Sequence, residues 1–488
     1  MELLSLTKMF KIVSPLFQFQ KNAVRFIKNK EWGGLFLEQG LGKSICAAAV
    51  SLDWLNTKTV DSVLIVTKKT LVNNWASEFK THSNYLPLVP SFGASKLRYR
   101  FLPKGGVYIL HYQALEQNAF RIKLLFKTER IGLIIDEAHY IKNPNSKIAK
   151  VLYELADKSA RRLVLTGTPI PNRPYDLWSL CRFLEPSLVA NMPFASLKKD
   201  FDIPRQGTSL NYGTLTSSLI NLRRRLESNI VFIQKDTSGL TMPPKLNSFY
   251  DITLSPKQKK LYDSFLGDSR SRNEIRRALD SGIRSSRIVP QGNVLKRISN
   301  LLISCSCPSY LDGTLLDQTN KEKVLLKIAK RLVKQKEPFL IWTYYQFTAR
   351  RLHNLFSELG AEAITGGTRS DLRNRHIENF KKGRVPILIL TMGSCKEGLN
   401  LQNASNAIFF DSSLKLDDIS QAQDRIHRIN QKRTCTMHFL VSKNTIEEWV
   451  VQLLKVKKFF SDDVFTRARR NDSFRPIDLT DVLHRALK

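Results

Sequence analysis

Ile131-Gly-Leu-Ile-Ile-Asp136-Glu137-Ala138-His139 is an unbroken apolar run that ends in two carboxylates. A continuous run, rather than an alternating one, suits a strand buried on both faces, as in a parallel sheet covered by helices. Side chains emerging where such a strand ends lie at the carboxyl edge of the sheet, where open α/β sheets bind ligands. Asp136 there suits a magnesium shell, and Glu137 suits a base or water-orienting group beside a phosphate. Read alone, the Asp-Glu pair could also be a helix N-cap, a position carboxylates favour.

Runs of the same kind recur on either side, each followed by a helix-compatible stretch. In the first half they are Leu35–Leu37, Val63–Val66, Val107–Leu110 and Leu163–Leu165; in the second, Phe339–Trp342, Ala361–Thr365, Val385–Leu390, Ala407–Phe410 and Met437–Val441. Strands separated by helices imply parallel sheets, so two α/β lobes are expected in tandem. Between them strand runs are scarce and basic, helix-compatible segments appear, such as 221–226 and the stretch carrying Arg270, Arg272, Arg276, Arg277, Arg284 and Arg287. Residues 191–320 are therefore expected to be helical insertions or linker between a first lobe at 1–190 and a second at 321–460, with a basic tail at 461–488. Residues 207–216, rich in Ser, Thr, Gly and Asn, read as an exposed loop.

Upstream of the carboxylates, Gly40-Leu41-Gly42-Lys43-Ser44 follows one strand run and precedes the helix-like 45–50. Strand, glycine loop, then helix is the context a phosphate loop requires. The glycines let backbone N–H groups approach phosphates, and the helix N-terminus adds partial positive charge. Lys43 suits the β- and γ-phosphates and Ser44 suits magnesium; Leu37 stands where the longer consensus has a glycine. By itself the segment could be a turn plus a helix cap. Downstream, Gln421-Ala-Gln-Asp424-Arg425-Ile-His427-Arg428-Ile-Asn430-Gln431 carries two arginines at i and i+3, a spacing that alone fits a solvated helix face. Together, a phosphate cradle, a magnesium-and-water pair and a source of positive charge are the parts of a nucleotide-hydrolysing motor.

Charge points to the partner. The 488 residues hold 77 Lys+Arg against 43 Asp+Glu, a net charge of +34 and a pI near 10.0. Self-repulsion on this scale implies a polyanion, and nucleic acid is the expected one. No apolar run approaches the roughly 20 residues that span a bilayer, so no membrane partner is expected. Met1-Glu2-Leu3-Leu4 does not begin a secretory signal. The six cysteines are scattered apart from Cys305-Ser-Cys307, which lacks the second half of a zinc site and reads as reduced thiol.

Asp136-Glu-Ala-His-Tyr-Ile-Lys142-Asn143-Pro-Asn-Ser146-Lys147 resembles motif II of the Swi/Snf-type (Snf2-like) DNA translocases of helicase superfamily two, in DEAH form. Leu165-Thr166-Gly167-Thr168-Pro169-Ile-Pro-Asn172, followed by Leu177-Trp178 and Phe183-Leu184-Glu-Pro186, resembles the same family. The likeness runs over about residues 15–455 with the motifs in order. It implies two RecA-like lobes, with ATP and Mg2+ as ligands. By position it implies that Gln20 reads adenine and that Thr67 and Trp75 lie near the DNA backbone. His139, Thr166 and Thr168 would couple nucleotide to lobe movement. Thr368 and Arg373, with Thr391, Lys396 and Gly398, keep the second-lobe register, the last three in a motif that touches both DNA and nucleotide. Arg425 and Arg428 match the arginine fingers, flanked by Gln421 and Gln431, and Lys142 and Asn143 are further candidates for DNA contact. The chain departs from the family at Leu37-Glu38-Gln39, at Lys68 (usually proline), at Asn430 (usually glycine) and at Ile233-Gln234 (usually two arginines).

The leading expectation is thus a DNA-dependent ATPase that translocates on double-stranded or branched DNA and remodels protein–DNA complexes, inside the cell at DNA. A strand-separating DNA or RNA helicase is the second reading, and a non-catalytic DNA-binding scaffold with a relic nucleotide pocket is the third. The absence of accessory histone-reader or nuclease signatures suggests a bacterial, phage or viral motor.

Overall fold

The computed structural model describes residues 9–89, 105–167, 176–197, 221–222, 224–275, 292–395, 399–411, 413–429 and 431–455. These fall into two compact units. The first takes the described residues up to Leu197 and from 221 to Leu240, and the second takes those from Thr241 onward.

Each unit is built on a six-stranded sheet with every pairing parallel. The first sheet comprises β1 (Trp32–Leu37), β2 (Ser62–Thr67), β3 (Gly106–His111), β4 (Ile131–Asp136), β5 (Arg161–Leu165) and β6 (Ile230–Ile233), in the order β3-β2-β4-β5-β1-β6. The second comprises β7 (Lys245–Ile252), β8 (Phe339–Thr343), β9 (Ala361–Ile364), β10 (Ile387–Thr391), β11 (Asn406–Phe409) and β12 (Cys435–Ser442), in the order β7-β12-β11-β8-β10-β9. All ten expected runs are strands, and β2, β4, β8 and β10 are buried along their whole length, as continuous apolar runs require. The helices used below are α1 (Gln18–Ile27), α2 (Lys43–Asn56), α3 (Val72–His82), α4 (Gly292–Ser306), α5 (Asn320–Lys334), α6 (Gln346–Phe356), α7 (Ser370–Lys381) and α8 (Leu416–Gln423). This is the tandem RecA-like, α/β architecture.

The stretch between the lobes differs from the helical expectation in one respect: β6 joins the edge of the first sheet beside β1, and β7 joins the edge of the second beside β12. The second sheet lies between two apolar layers. One gathers Leu340, Trp342, Phe380, Leu390 and Phe409. The other gathers Leu325, Ile328 and Leu332 of α5 with Phe339, Ile341, Leu352 and Phe356. Cys305, near the end of α4, packs against Tyr262, Ile446 and Trp449, and burial pushes its thiol up to about 12. All six cysteines are buried. Among the described residues no helix is long and apolar enough to cross a membrane.

Strand order positions the site. In the first sheet β5 lies between β1 and β4, so the segments leaving the carboxyl ends of β1, β5 and β4 are neighbours. These carry Lys43, Gly167 and Asp136.

Candidate functional site

The loop after β1 turns through two left-handed glycines, Gly40 at φ 86° and Gly42 at φ 80°. Gly42 caps α2 with no side-chain hydrogen bond, which leaves the helix N-terminal amides to an anion. A Cβ at Gly42 would stand 2.5 Å from Gln20 Nε2, so the position demands glycine for space as well as for φ. Gln20, buried on α1, donates from Nε2 to the Leu41 carbonyl at 3.0 Å and accepts from the Phe17 amide at 3.0 Å. In this state it braces the loop. Lys43 Nζ donates to the Leu37 carbonyl at 2.9 Å, folded back across its own loop, and Ser44 is half-buried in the first turn of α2.

Asp136 closes β4 in a shell of donors. Its Oδ2 accepts from Trp75 Nε1 at 2.8 Å and Thr67 Oγ1 at 3.0 Å, and its Oδ1 accepts from the Glu137 amide at 2.9 Å. The Tyr112 hydroxyl donates to the Asp136 carbonyl at 2.6 Å. Burial, with the neighbouring Glu137, nevertheless pushes the Asp136 carboxyl up from its ordinary range against Trp75, Lys43 and Thr67. Glu137 turns the chain at φ 51°, a left-handed conformation that costs a non-glycine residue energy and persists only where surroundings impose it. Its Oε2 lies 3.3 Å from His139 Nδ1. Burial would raise this carboxyl too, but His139, Lys68 and Lys43 outweigh it and hold it below the usual carboxylate range. Two carboxylates buried side by side, with a lysine on the adjacent loop, are a donor set that suits a hard divalent cation.

Three parts of this site were not legible as such in the sequence. Gly167 abuts the phosphate loop: a Cβ there would meet Gln39 Cγ at 2.9 Å and Lys43 Nζ at 3.2 Å. Tyr112 fixes the carboxylate-bearing backbone and stacks on Tyr140 with centroids 4.7 Å apart. Lys68, almost wholly buried, holds its ammonium 5.1 Å from the Tyr140 ring centre. Lys68 left a sequence signal as the departure from proline, and Gly167 stood inside the stretch 165–172, whereas Tyr112 left none.

Thr67 and Trp75, expected near the DNA backbone, are 0% and 2% exposed, and their polar hydrogens go to Asp136. They orient the carboxylate from inside the lobe. Thr391, at the end of β10, is likewise buried, its hydroxyl donating to Ser394 Oγ at 3.1 Å.

Other expected residues fall as follows. Thr166 is buried beside Gly167, its amide donating to the Leu35 carbonyl at 3.3 Å. Lys142 is half-buried and Asn143 exposed, in the turn before the helix that starts at Lys147. In the second unit Thr368 Oγ1 accepts from the Thr365 amide at 2.9 Å, and Arg373 is half-buried on α7. The Arg425 guanidinium is buried and donates to the Gln421 and Leu399 carbonyls, each at 2.9 Å. Arg428, half-buried, reaches the Leu399 carbonyl at 3.3 Å. Gln421, on α8, is buried, and among the described residues neither atom of its side-chain amide is hydrogen-bonded. Gln431 donates to the Gln402, Ala404 and Ile426 carbonyls and so clamps the arginine segment from below. Thr168, Lys396 and Gly398 lie outside the described residues.

The SNF2-related domain profile matches residues 19–307, and the helicase conserved C-terminal domain profile matches 320–430. An uncharacterized ATP-dependent helicase of Mycoplasma pneumoniae is 29% identical, over 92% of this chain and 42% of its own. The putative ATP-dependent helicase/translocase YwqA of Bacillus subtilis is 25% identical, over 92% of this chain and 48% of its own. A human SWI/SNF-related regulator of chromatin, subfamily A member 1, is 26% identical, over 94% and 44%. The chain thus spans less than half the length of these relatives. The Sulfolobus solfataricus SWI2/SNF2 ATPase core solved with dsDNA aligns over 98% of both chains at 23% identity, with a TM-score of 0.43.

Proposed function

Because the chain belongs to the SNF2-related family, with a helicase conserved C-terminal domain behind the SNF2-related one, we propose that it hydrolyses ATP to translocate on double-stranded DNA, displacing proteins or remodelling branches. The observation that carries this reading is the convergence of Lys43, Gly167, Asp136 and Glu137 on one edge of one parallel sheet. ATP would lay its phosphates on the uncapped N-terminus of α2, drawing Lys43 off the Leu37 carbonyl, while Gln20 meets the adenine. Ser44 and Asp136 would hold Mg2+, which neutralises charge between the phosphates. Glu137, kept ionised, orients the attacking water, and His139 reports its state along the chain toward Thr166 and Thr168.

In the second lobe, Arg425 and Arg428 are the proposed source of positive charge for the γ-phosphoryl, with Gln421 and Gly398 beside the nucleotide. Such a finger supplies roughly 10³–10⁵ in rate. Lys142, Asn143, Thr368, Arg373 and Lys396 would touch the phosphodiester backbone. Backbone contact carries no sequence information, so the motor would run on any duplex.

ATP turnover measured with duplex, single-stranded and branched DNA and with RNA, beside displacement of a triplex third strand, tests the proposal. Stimulation by duplex with triplex displacement is expected. Stimulation by single strands with release of a displaced strand would establish a strand-separating helicase instead. Turnover unaffected by any nucleic acid would overturn the motor reading.

A further inference from the structure

α5 sorts its charges by sign. Every exposed residue in Asn320–Lys334 is basic: Lys323, Lys327, Lys330, Arg331 and Lys334, with Lys336 two positions further on, after Gln335. The one acid on the helix, Glu322, is turned inward, where it completes the N-terminal capping box with Thr319 and pairs with Arg351 of α6. The one inward base, Lys321, is buried against Glu447. None of the outward bases is ion-paired among the described residues.

A solvated helix normally intersperses signs, with Glu and Lys four apart supporting one another. Here Lys323 and Lys327, Lys327 and Arg331, and Lys330 and Lys334 place like charges at that spacing, so the stripe opposes its own helix unless a polyanion lies along it. From Lys323 to Lys334 it runs about 16 Å, the rise of about five base pairs. Its place in the fold separates it from the proposed track. Leu325, Ile328 and Leu332 seat α5 on one face of the second sheet, and the helix leads directly into the amino end of β8. Lys336 then enters β8, whose Phe339 amide donates to the Pro386 carbonyl just before β10. Thr343, Thr368, Thr391 and the arginine segment all belong to the opposite, carboxyl edge.

Resting on the proposed function for its nucleic-acid partner, we infer that the outer face of α5 is a second duplex-binding surface, gripping a phosphate backbone apart from the one the motor tracks. It tethers the second lobe to DNA through the cycle. The test compares the full chain with K323E/K327E/K330E/K334E and with a control, K21E/K80E/K127E/K158E, which removes the same charge from exposed sites scattered over the first unit. Duplex affinity is read by fluorescence anisotropy across salt concentrations, and ATP turnover is read at saturating duplex. The α5 variant is expected to bind about tenfold more weakly than the control and to flatten the slope of log affinity against log salt by about 2 to 3, with maximal duplex-stimulated turnover intact. An α5 variant with the control's affinity and slope overturns the inference. So would unchanged duplex binding with lost binding to phosphatidylserine vesicles, which would assign the stripe to a membrane surface. Wild-type turnover indifferent to duplex would overturn the motor reading instead, whatever the slopes show.

Discussion

Glu137 sits in a left-handed turn, buried, with His139 on one side and Asp136 on the other. Backbone held in that conformation supports the role in chemistry proposed for Glu137. Glu137→Gln should keep the fold and ATP binding but lower turnover at least about a hundredfold, the usual contribution of a positioned base, as read by steady-state hydrolysis beside equilibrium nucleotide binding. Unchanged turnover would remove Glu137 from the mechanism. Thr67→Val deletes one of the hydrogen bonds that orient Asp136 while keeping side-chain volume. It should raise the Mg2+ concentration for half-maximal turnover about tenfold, the ordinary effect of losing a partner behind a metal ligand, with little change in nucleotide affinity measured without metal. Lys43, Ser44 and Asp136 were legible because a phosphate loop and a strand-end carboxylate are local patterns. Thr67, Trp75 and Tyr112 were not legible as Asp136 partners, because those contacts join residues 69, 61 and 24 positions apart.

At the scale of elements, the strands found in the sequence are mostly continuous apolar runs that the fold buries; β9 is an exception, with Glu362 inside its run and only its two ends buried. β7 escaped because polar residues interrupt its apolar ones. Its Leu246 and Phe249 are exposed and its pattern is mixed, so it reads like linker. β6 was short and stood among basic, helix-compatible segments. β12 carries a further consequence of burial. His438 is enclosed between the Tyr250 hydroxyl, 3.1 Å from Nδ1, and Asn406 Oδ1, 3.1 Å from Nε2, and burial lowers its pKa from 6.5 to about 4. The unfolded chain therefore binds a proton that the folded chain refuses between those values, so stability rises with pH through that window and is lost on acidification. His438 should contribute up to about 3 kcal/mol of this loss. Thermal melts from pH 7 to 4.5 should show His438→Gln with a flatter decline than the wild type; parallel declines would exclude the assignment.

For the whole molecule, a net charge of +34 predicts that duplex affinity falls steeply with salt and hardly varies with sequence. If six phosphates are neutralised, the slope of log affinity against log salt is about −5. Titrations of two unrelated duplexes of equal length between 50 and 200 mM salt should therefore give parallel steep lines, and a shallow slope or strong sequence preference would contradict backbone recognition. Lobe count, sheet type and the place of the glycine loop between β1 and α2 were determined by the sequence alone, because period and punctuation are properties of neighbouring residues. Which side chains surround Asp136, that Thr67 and Trp75 face inward, and that Gly167 presses on Lys43 were decided only by the tertiary structure. Strand order, with β5 between β1 and β4, brings distant segments together at one edge, and no local pattern encodes that order.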